Sequence, residues 1–173
     1  MSGYIRRPGW LKLSPLDPTS LGPMRRLTCD LKLHTVCESA HCPNRAECFS
    51  RGTAAFMILG NTCTRHCTFC AVKKGRPQDP DPQEPQHIVE AISTLKLSYV
   101  VVTSVTRDDL PDGGAAHFAR TIRAIRDYDP AIAVEVLIPD FRGSRSALED
   151  VLSARPAVLN HNLETVPRLY PEV

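Results

Sequence analysis

The chain has 173 residues, 42% of them hydrophobic, with seven cysteines, fifteen prolines and nine glycines. That suits one core of ordinary size and excludes both a disulfide-held miniprotein and a multidomain machine. Lys and Arg (21) nearly balance Asp and Glu (19), giving a net charge of +2, so nothing points to nucleic acid or to a membrane surface.

The first residues, MSGYIRRPGWLKL, lack the apolar core of a signal peptide, and no apolar run approaches the roughly 18 residues of a bilayer span. A cytoplasmic, reducing setting is expected, where thiols stay free. Residues 1–36 carry Pro8, Pro15, Pro18 and Pro23 with six basic and two acidic residues, and read as an extended arm. Residues 37–55 bear cysteines and show little periodicity. We take 1–55 as an N-terminal arm with a cysteine-bearing extension and 56–173 as the α/β domain.

Phe56-Met57-Ile58-Leu59 reads as a buried strand that stops at Gly60-Asn61. RPQDPDPQEP, over 76–85, holds four prolines and must be a loop. Ile88, Ala91, Ile92 and Leu95 then recur at helical spacing. Tyr99 to Thr103 forms a second buried strand, and Phe118, Ile122 and Ile125 mark a second helix. Ile132 to Ile138 is a third strand. Leu148, Val151 and Leu152 mark a third helix. Ala157-Val158-Leu159 opens a fourth strand, ending in Asn160-His161-Asn162.

About four β/α units with near-continuous apolar strands imply a parallel sheet covered by helices, either doubly wound or part of a β/α barrel. In both, ligands bind beyond the carboxyl ends of the strands. The segments to inspect are Asn61–Cys70, Thr103–Gly114, Pro139–Gly143 and Asn160–Glu164.

Six of the seven cysteines lie between Cys37 and Cys70. Cys63-x3-Cys67-x2-Cys70 follows the first strand closely. Three thiolates at this spacing can hold three irons of a cubane and leave the fourth open to a small chelating ligand. A zinc site completed by His66 is the alternative; it asks for four closed ligands. Cys37-x4-Cys42-x5-Cys48 is a second trio, suited to a second cubane lacking one ligand, or to zinc with His34 or His41. Cys29 belongs to neither trio and reads as an inert thiol.

CxxxCxxC after a strand, with Phe69 before the last cysteine, resembles the signature of the radical S-adenosylmethionine (SAM) enzymes. The two trios together resemble those of the lipoyl synthase family. So do RRPGWLK, CESAHCPNRAEC, GTAAFMILGNTCTRHCTFCAV, DPQEP, YVVVTSVTRDDLPDGGAAHFA, VEVLIPDF and VLNHNLETVPRLYP, in that order along the chain. The resemblance implies the N-terminal portion of a radical SAM partial (β/α) barrel. It implies a sulfurtransferase of lipoate biosynthesis, which inserts two sulfur atoms at C6 and C8 of a protein-bound octanoyl group.

By the same resemblance, Cys63, Cys67 and Cys70 hold the SAM-cleaving [4Fe-4S] cluster, and Cys37, Cys42 and Cys48 hold an auxiliary [4Fe-4S] cluster that donates sulfur. Thr103 and Ser104 fall where such enzymes bind the SAM amino group, although a strand-end hydrogen bond also accounts for them. Glu135 either points into the barrel towards the SAM ribose or makes a surface salt bridge. Asn160, Asn162 and Glu164 become contacts to SAM or substrate. Arg107, Asp108 and Asp109 with Gly113-Gly114 form a loop on the active face, or a solvated turn.

Implied partners are an octanoylated lipoyl carrier domain or glycine cleavage H protein, an electron donor such as flavodoxin or ferredoxin, and cluster-assembly proteins. The family's chains continue past RLYPEV through further strands to an Arg-Ser-Ser-Tyr block whose serine ligates the auxiliary cluster. That block does not occur here, so a truncated product, or a second polypeptide supplying the remainder, is expected. Lipoyl formation by this chain alone should then be poor or absent. A radical SAM enzyme of another reaction type, such as a biotin synthase, and a non-catalytic zinc or cluster module are the other readings.

Overall fold

A computed structural model of the protein describes residues 18–42, 44, 47, 48 and 55–172. RRPGWLK, and Pro43, Arg45 and Ala46 of the second cysteine segment, lie outside the described residues.

Residues expected to form an extended arm instead form helix α1 over Pro18–Asp30. Pro18 stands at its first position, where a fixed φ suits the helix and the missing N–H is no loss. Pro23 removes one interior bond, which twelve other residues and the packing of Leu27 and Leu31 on the core outweigh. A two-residue strand β1 (His34–Thr35) follows, then one helical turn α2 (Val36–Ser39), capped by the Thr35 hydroxyl. Next come β2 (Ala55–Ile58), β3 (Thr62–Cys63), β4 (Lys73–Lys74), α3 (Glu84–Leu95), β5 (Tyr99–Ser104), α4 (Ala115–Tyr128), β6 (Ala133–Leu137), α5 (Arg145–Ser153) and β7 (Val158–Asn160).

The main sheet has the order β1-β2-β5-β6-β7, and β3 pairs separately with β4. β1 runs antiparallel at the edge; β2, β5, β6 and β7 are parallel. Each new parallel strand adds beside the last with no reversal of order. A doubly wound sheet reverses at a switch point, whereas barrel winding does not. The topology is therefore that of a partial β/α barrel.

Register explains which face is covered. Phe56, Val102 and Val136 are paired neighbours and are all buried. Beneath them pack Ile88, Ala91 and Ile92 of α3, Phe118, Ile122 and Ile125 of α4, and Ala147 and Val151 of α5. The opposite, concave face carries Met57, Thr103, Leu137 and Asn160 in one lateral row. Ala55, Val101, Glu135 and Val158 form the row next to it.

Helix ends follow local chemistry. Asp112 accepts from the amides of Gly114 and Ala116 at the head of α4. Ser144 caps α5 through the Ala147 amide. Lys96 closes α3 in the left-handed conformation. Among the described residues, no helix is long and apolar enough to cross a membrane.

Leu152, one of the three apolar residues that mark this helix in the sequence, is 47% exposed, while its neighbour Val151 is fully buried. Ile122→Ala should therefore destabilise the chain by about 2–5 kcal/mol in urea unfolding. Leu152→Ala should change stability by less than about 0.5 kcal/mol. Equal effects would contradict this register.

Candidate active site

The site is built on the abrupt end of β2. Leu59 and Gly60 both take positive φ (67° and 88°), which turns the chain out of the sheet and into the cysteine loop. A leucine in this conformation is strained and needs support from its surroundings. That support comes from two buried charged residues. The Glu84 carboxylate accepts from the Leu59 amide at 2.8 Å, and Arg107 donates to the Leu59 carbonyl at 3.2 Å.

Glu84 and Arg107 are 5% and 1% exposed, and each is paired. His117 Nε2 donates to Glu84 at 2.8 Å, and Arg120 donates to His117 Nδ1 at 2.9 Å, which fixes the ring proton on Nε2. Arg107 is ion-paired with Asp109, whose carboxyl it holds below the usual range. Gly114 packs where any side chain would strike Leu59: a Cβ there would lie 2.3 Å from Leu59 Cδ1.

Beyond the turn, the loop is stitched down at successive residues. The Thr64 amide and hydroxyl both donate to the Thr106 carbonyl, and the Thr64 hydroxyl accepts from the Asp108 amide. The Gly75 amide donates to the Cys63 carbonyl, and Lys74 Nζ donates to the Cys67 carbonyl. Arg65 reaches across to Asp108 and Asp140, on the loops after β5 and β6, at 2.7–2.9 Å. These carboxylates, Asp108 foremost, hold its guanidinium firmly in the charged form. Arg65 in turn lowers the Asp140 carboxyl to about 2.

The loop lines one side of a cleft of about 450 Å³ at the carboxyl ends of the strands. Cys63, Cys67 and Cys70 line it together with Thr103, Ser104, Asn162 and Glu164. Thr103 donates to the Leu137 carbonyl at 2.8 Å, so its proton is spent within the fold. The Ser104 hydroxyl is buried and has no partner among the described residues. Phe69, Leu163 and Tyr170 give the cleft an apolar rim.

Asn160 and Glu135 do not line the cleft. Glu135 is on the concave face. There it accepts from the Tyr99 hydroxyl and, at 2.6 Å, from Asn160 Nδ2. The carboxylate raises the Tyr99 hydroxyl above its ordinary pKa. The Arg107–Asp109 segment is no solvated turn, because Arg107 is an internal strut. Sequence reasoning missed Arg65, Glu84 and Asp140. Arg65 stands between two ligand-type cysteines and Asp140 stands at a strand end, which were the available signals.

The second trio is near the sheet edge. Cys37 is buried at the start of α2, and burial pushes its thiol up. Cys42 and Cys48 add to that shift. Cys29 is exposed, and all seven cysteines are free thiols.

Among the described residues, no three His, Cys, Asp or Glu side chains converge on a single-ion position. A cubane does not require such convergence, since each thiolate takes its own iron. Three free thiols on one pinned loop, facing a cleft with an orphaned hydroxyl, fit a cubane that leaves one iron for an exogenous ligand.

Two outcomes are expected from this geometry. Glu84→Ala strands the buried Leu59 amide and His117 Nε2 and should cost about 2–5 kcal/mol in chemical denaturation, whereas Glu90→Ala on the exposed face of the same helix should be near neutral. Asp140 has a depressed pKa, so its contribution to stability is complete above the ordinary 3.8 and is lost as pH falls towards about 2. The Asp140 side chain is 45% exposed, so Asp140→Asn should differ only slightly from wild type in urea unfolding followed across that window, and a large loss of stability at neutral pH would contradict this.

The Radical SAM superfamily profile matches residues 57–173. Similar proteins include the lipoyl synthase of Caldicellulosiruptor saccharolyticus, 58% identical over 97% of this chain and 59% of the relative. The lipoyl synthase of Nitrosomonas eutropha is 56% identical over 97% of this chain and 54% of the relative. That of Aquifex aeolicus is 59% identical over 90% and 56%. The chain spans about half the length of the curated relatives it matches. The matched region begins in β2 and carries the pinned three-thiol loop, the cleft and the parallel strands that form it. On those grounds the chain belongs to the radical SAM superfamily, which pairs a [4Fe-4S] cluster with SAM.

Proposed function

We propose that the chain carries the cluster-binding and SAM-binding part of a lipoyl synthase, which inserts two sulfur atoms at C6 and C8 of a protein-bound octanoyl group. The observation that carries this reading is the presence of two separate free-thiol trios. One faces the cleft of a radical SAM domain, and the other lies at the edge of the same sheet. The relatives' shared name supports it.

Cys63, Cys67 and Cys70 would hold the SAM-cleaving cluster, and Cys37, Cys42 and Cys48 an auxiliary [4Fe-4S] cluster. When bound, these groups supply a carbon radical able to break an unactivated C–H bond, and sulfur to replace the hydrogen. The chain's own residues hold, orient and shield. The unpaired Ser104 hydroxyl offers a hydrogen bond to a ligand's ammonium or carboxylate, and Asn162 and Glu164 offer amide and carboxylate contacts from the loop after β7. Phe69, Leu163 and Tyr170 supply apolar cover, which keeps water from a reactive intermediate.

The partners on this reading are an octanoylated lipoyl carrier domain or H protein, a flavodoxin-like or ferredoxin-like electron donor, and cluster-assembly proteins. Seven free thiols suit a reducing, cytoplasmic setting.

Anaerobic reconstitution tests the two-cluster assignment directly. Wild type should take up about eight irons per chain, and Cys37→Ala or Cys67→Ala about four each, since a cubane holds four. One zinc with no iron would overturn the reading, as would four irons in wild type that Cys37→Ala leaves unchanged.

A further inference from the structure

We infer that Arg65 is a positioning latch that sets the width of the cleft by holding the loop after β6 against the cysteine loop. The inference deepens the proposed function and rests on the cleft being the SAM site.

Several contacts already bind the cysteine loop to its other neighbours. Thr64 ties it to the loop after β5, and β4 ties it from the other side. Among the described residues, Arg65 supplies its only hydrogen bonds to the loop after β6. Its NH1 and NH2 donate to the two oxygens of Asp140 at 2.8 and 2.7 Å. Its Nε and NH2 grip both oxygens of Asp108 at 2.7 and 2.9 Å. One planar guanidinium thus forms two bidentate forks. That geometry is available to arginine and not to lysine.

The loop it holds needs holding. Phe141 and Arg142 both have positive φ (45° and 54°), a conformation that non-glycine residues rarely adopt. The Asp140 carboxylate stabilises it by accepting from the Arg142 amide at 2.9 Å, and Arg65 fixes that carboxylate. Ile138, Pro139 and Asp140 line the same cleft as the three thiols. Releasing Asp140 would let this wall swing while the thiols stayed in place.

Isolated ion pairs at this exposure contribute little to stability. The side chains of Arg65, Asp108 and Asp140 are 34%, 31% and 45% exposed, so the effect should appear in positioning rather than in global stability.

The test compares wild type with Arg65→Gln, Arg65→Lys and Asp140→Asn, first as metal-free chain and then after anaerobic reconstitution. In the metal-free chain, hydrogen exchange at the Arg142 and Gly143 amides should quicken about tenfold in Arg65→Gln and Arg65→Lys, the scale of losing a charge-assisted fork. The Thr64 amide and the melting temperature should change little. After reconstitution, both Arg65 variants should keep wild-type iron content and bind SAM about tenfold more weakly, and Asp140→Asn should add nothing to Arg65→Gln.

Restoration of exchange and SAM affinity by lysine would show that charge alone matters and would overturn the latch. Unchanged exchange at 142–143 would overturn it too. If wild type took up no iron, the proposed function would fall, while the exchange comparison would still decide whether Arg65 latches the loop.

Discussion

Everything at the carboxyl end of this sheet depends on the left-handed turn at Leu59–Gly60. A parallel strand emerging from the core would otherwise run on into solvent. Here the chain is bent sharply, and the amide and carbonyl of the bent leucine are each taken by a buried charged side chain. Backbone groups freed at a strand end must find partners, and buried charges must be compensated. The turn satisfies both demands at once, because Arg107 is ion-paired with Asp109 and the Glu84 carboxylate accepts hydrogen bonds from the Leu59 amide and His117 Nε2. The bare Cα of Gly114 leaves room for the Leu59 side chain. The three thiols of the cysteine loop therefore start from a fixed point set by α3, α4 and the loop after β5.

From that anchor the loop is secured outwards by progressively more exposed contacts: backbone and hydroxyl stitches at Thr64, then the double fork at Arg65. The gradient has a physical logic. Buried bonds fix where the loop begins, and exposed ionic bonds fix how it faces the neighbouring strand-end loops. The helices and the covered face of the sheet give a rigid scaffold, and the chemistry is confined to loops, the usual division of labour in β/α architectures. On the concave face below the cleft, the Glu135 carboxylate is shared between Tyr99 and Asn160.

Much of the fold was legible in the sequence. Val-rich runs at 99–102 and 133–137 and the apolar stripe of 118, 122 and 125 are local signals, and the strands and helices lie there. Helix α1 was hidden because its prolines read as breakers, although Pro18 sits where proline is harmless. Two-residue strands such as β1 and β3 carry no periodicity to detect. The cysteine trios were readable from spacing. The residues that hold them were not, because those contacts join positions 25 to 75 residues apart. The helix marked by Leu148, Val151 and Leu152 is present, but a nine-residue helix with two adjacent apolar residues does not reveal which of them faces inward. The choice among zinc, one cluster and two clusters turns on metal chemistry that the polypeptide encodes only as thiols.

The central claim is that Cys63, Cys67 and Cys70 present a cubane with one iron open to SAM. Electron paramagnetic resonance of the reconstituted, reduced chain with and without SAM tests it most directly. The account predicts a [4Fe-4S] signal that SAM alters, and loss of that SAM-responsive signal in Cys63→Ala. A signal indifferent to SAM, or one that survives unchanged in Cys63→Ala, would contradict it.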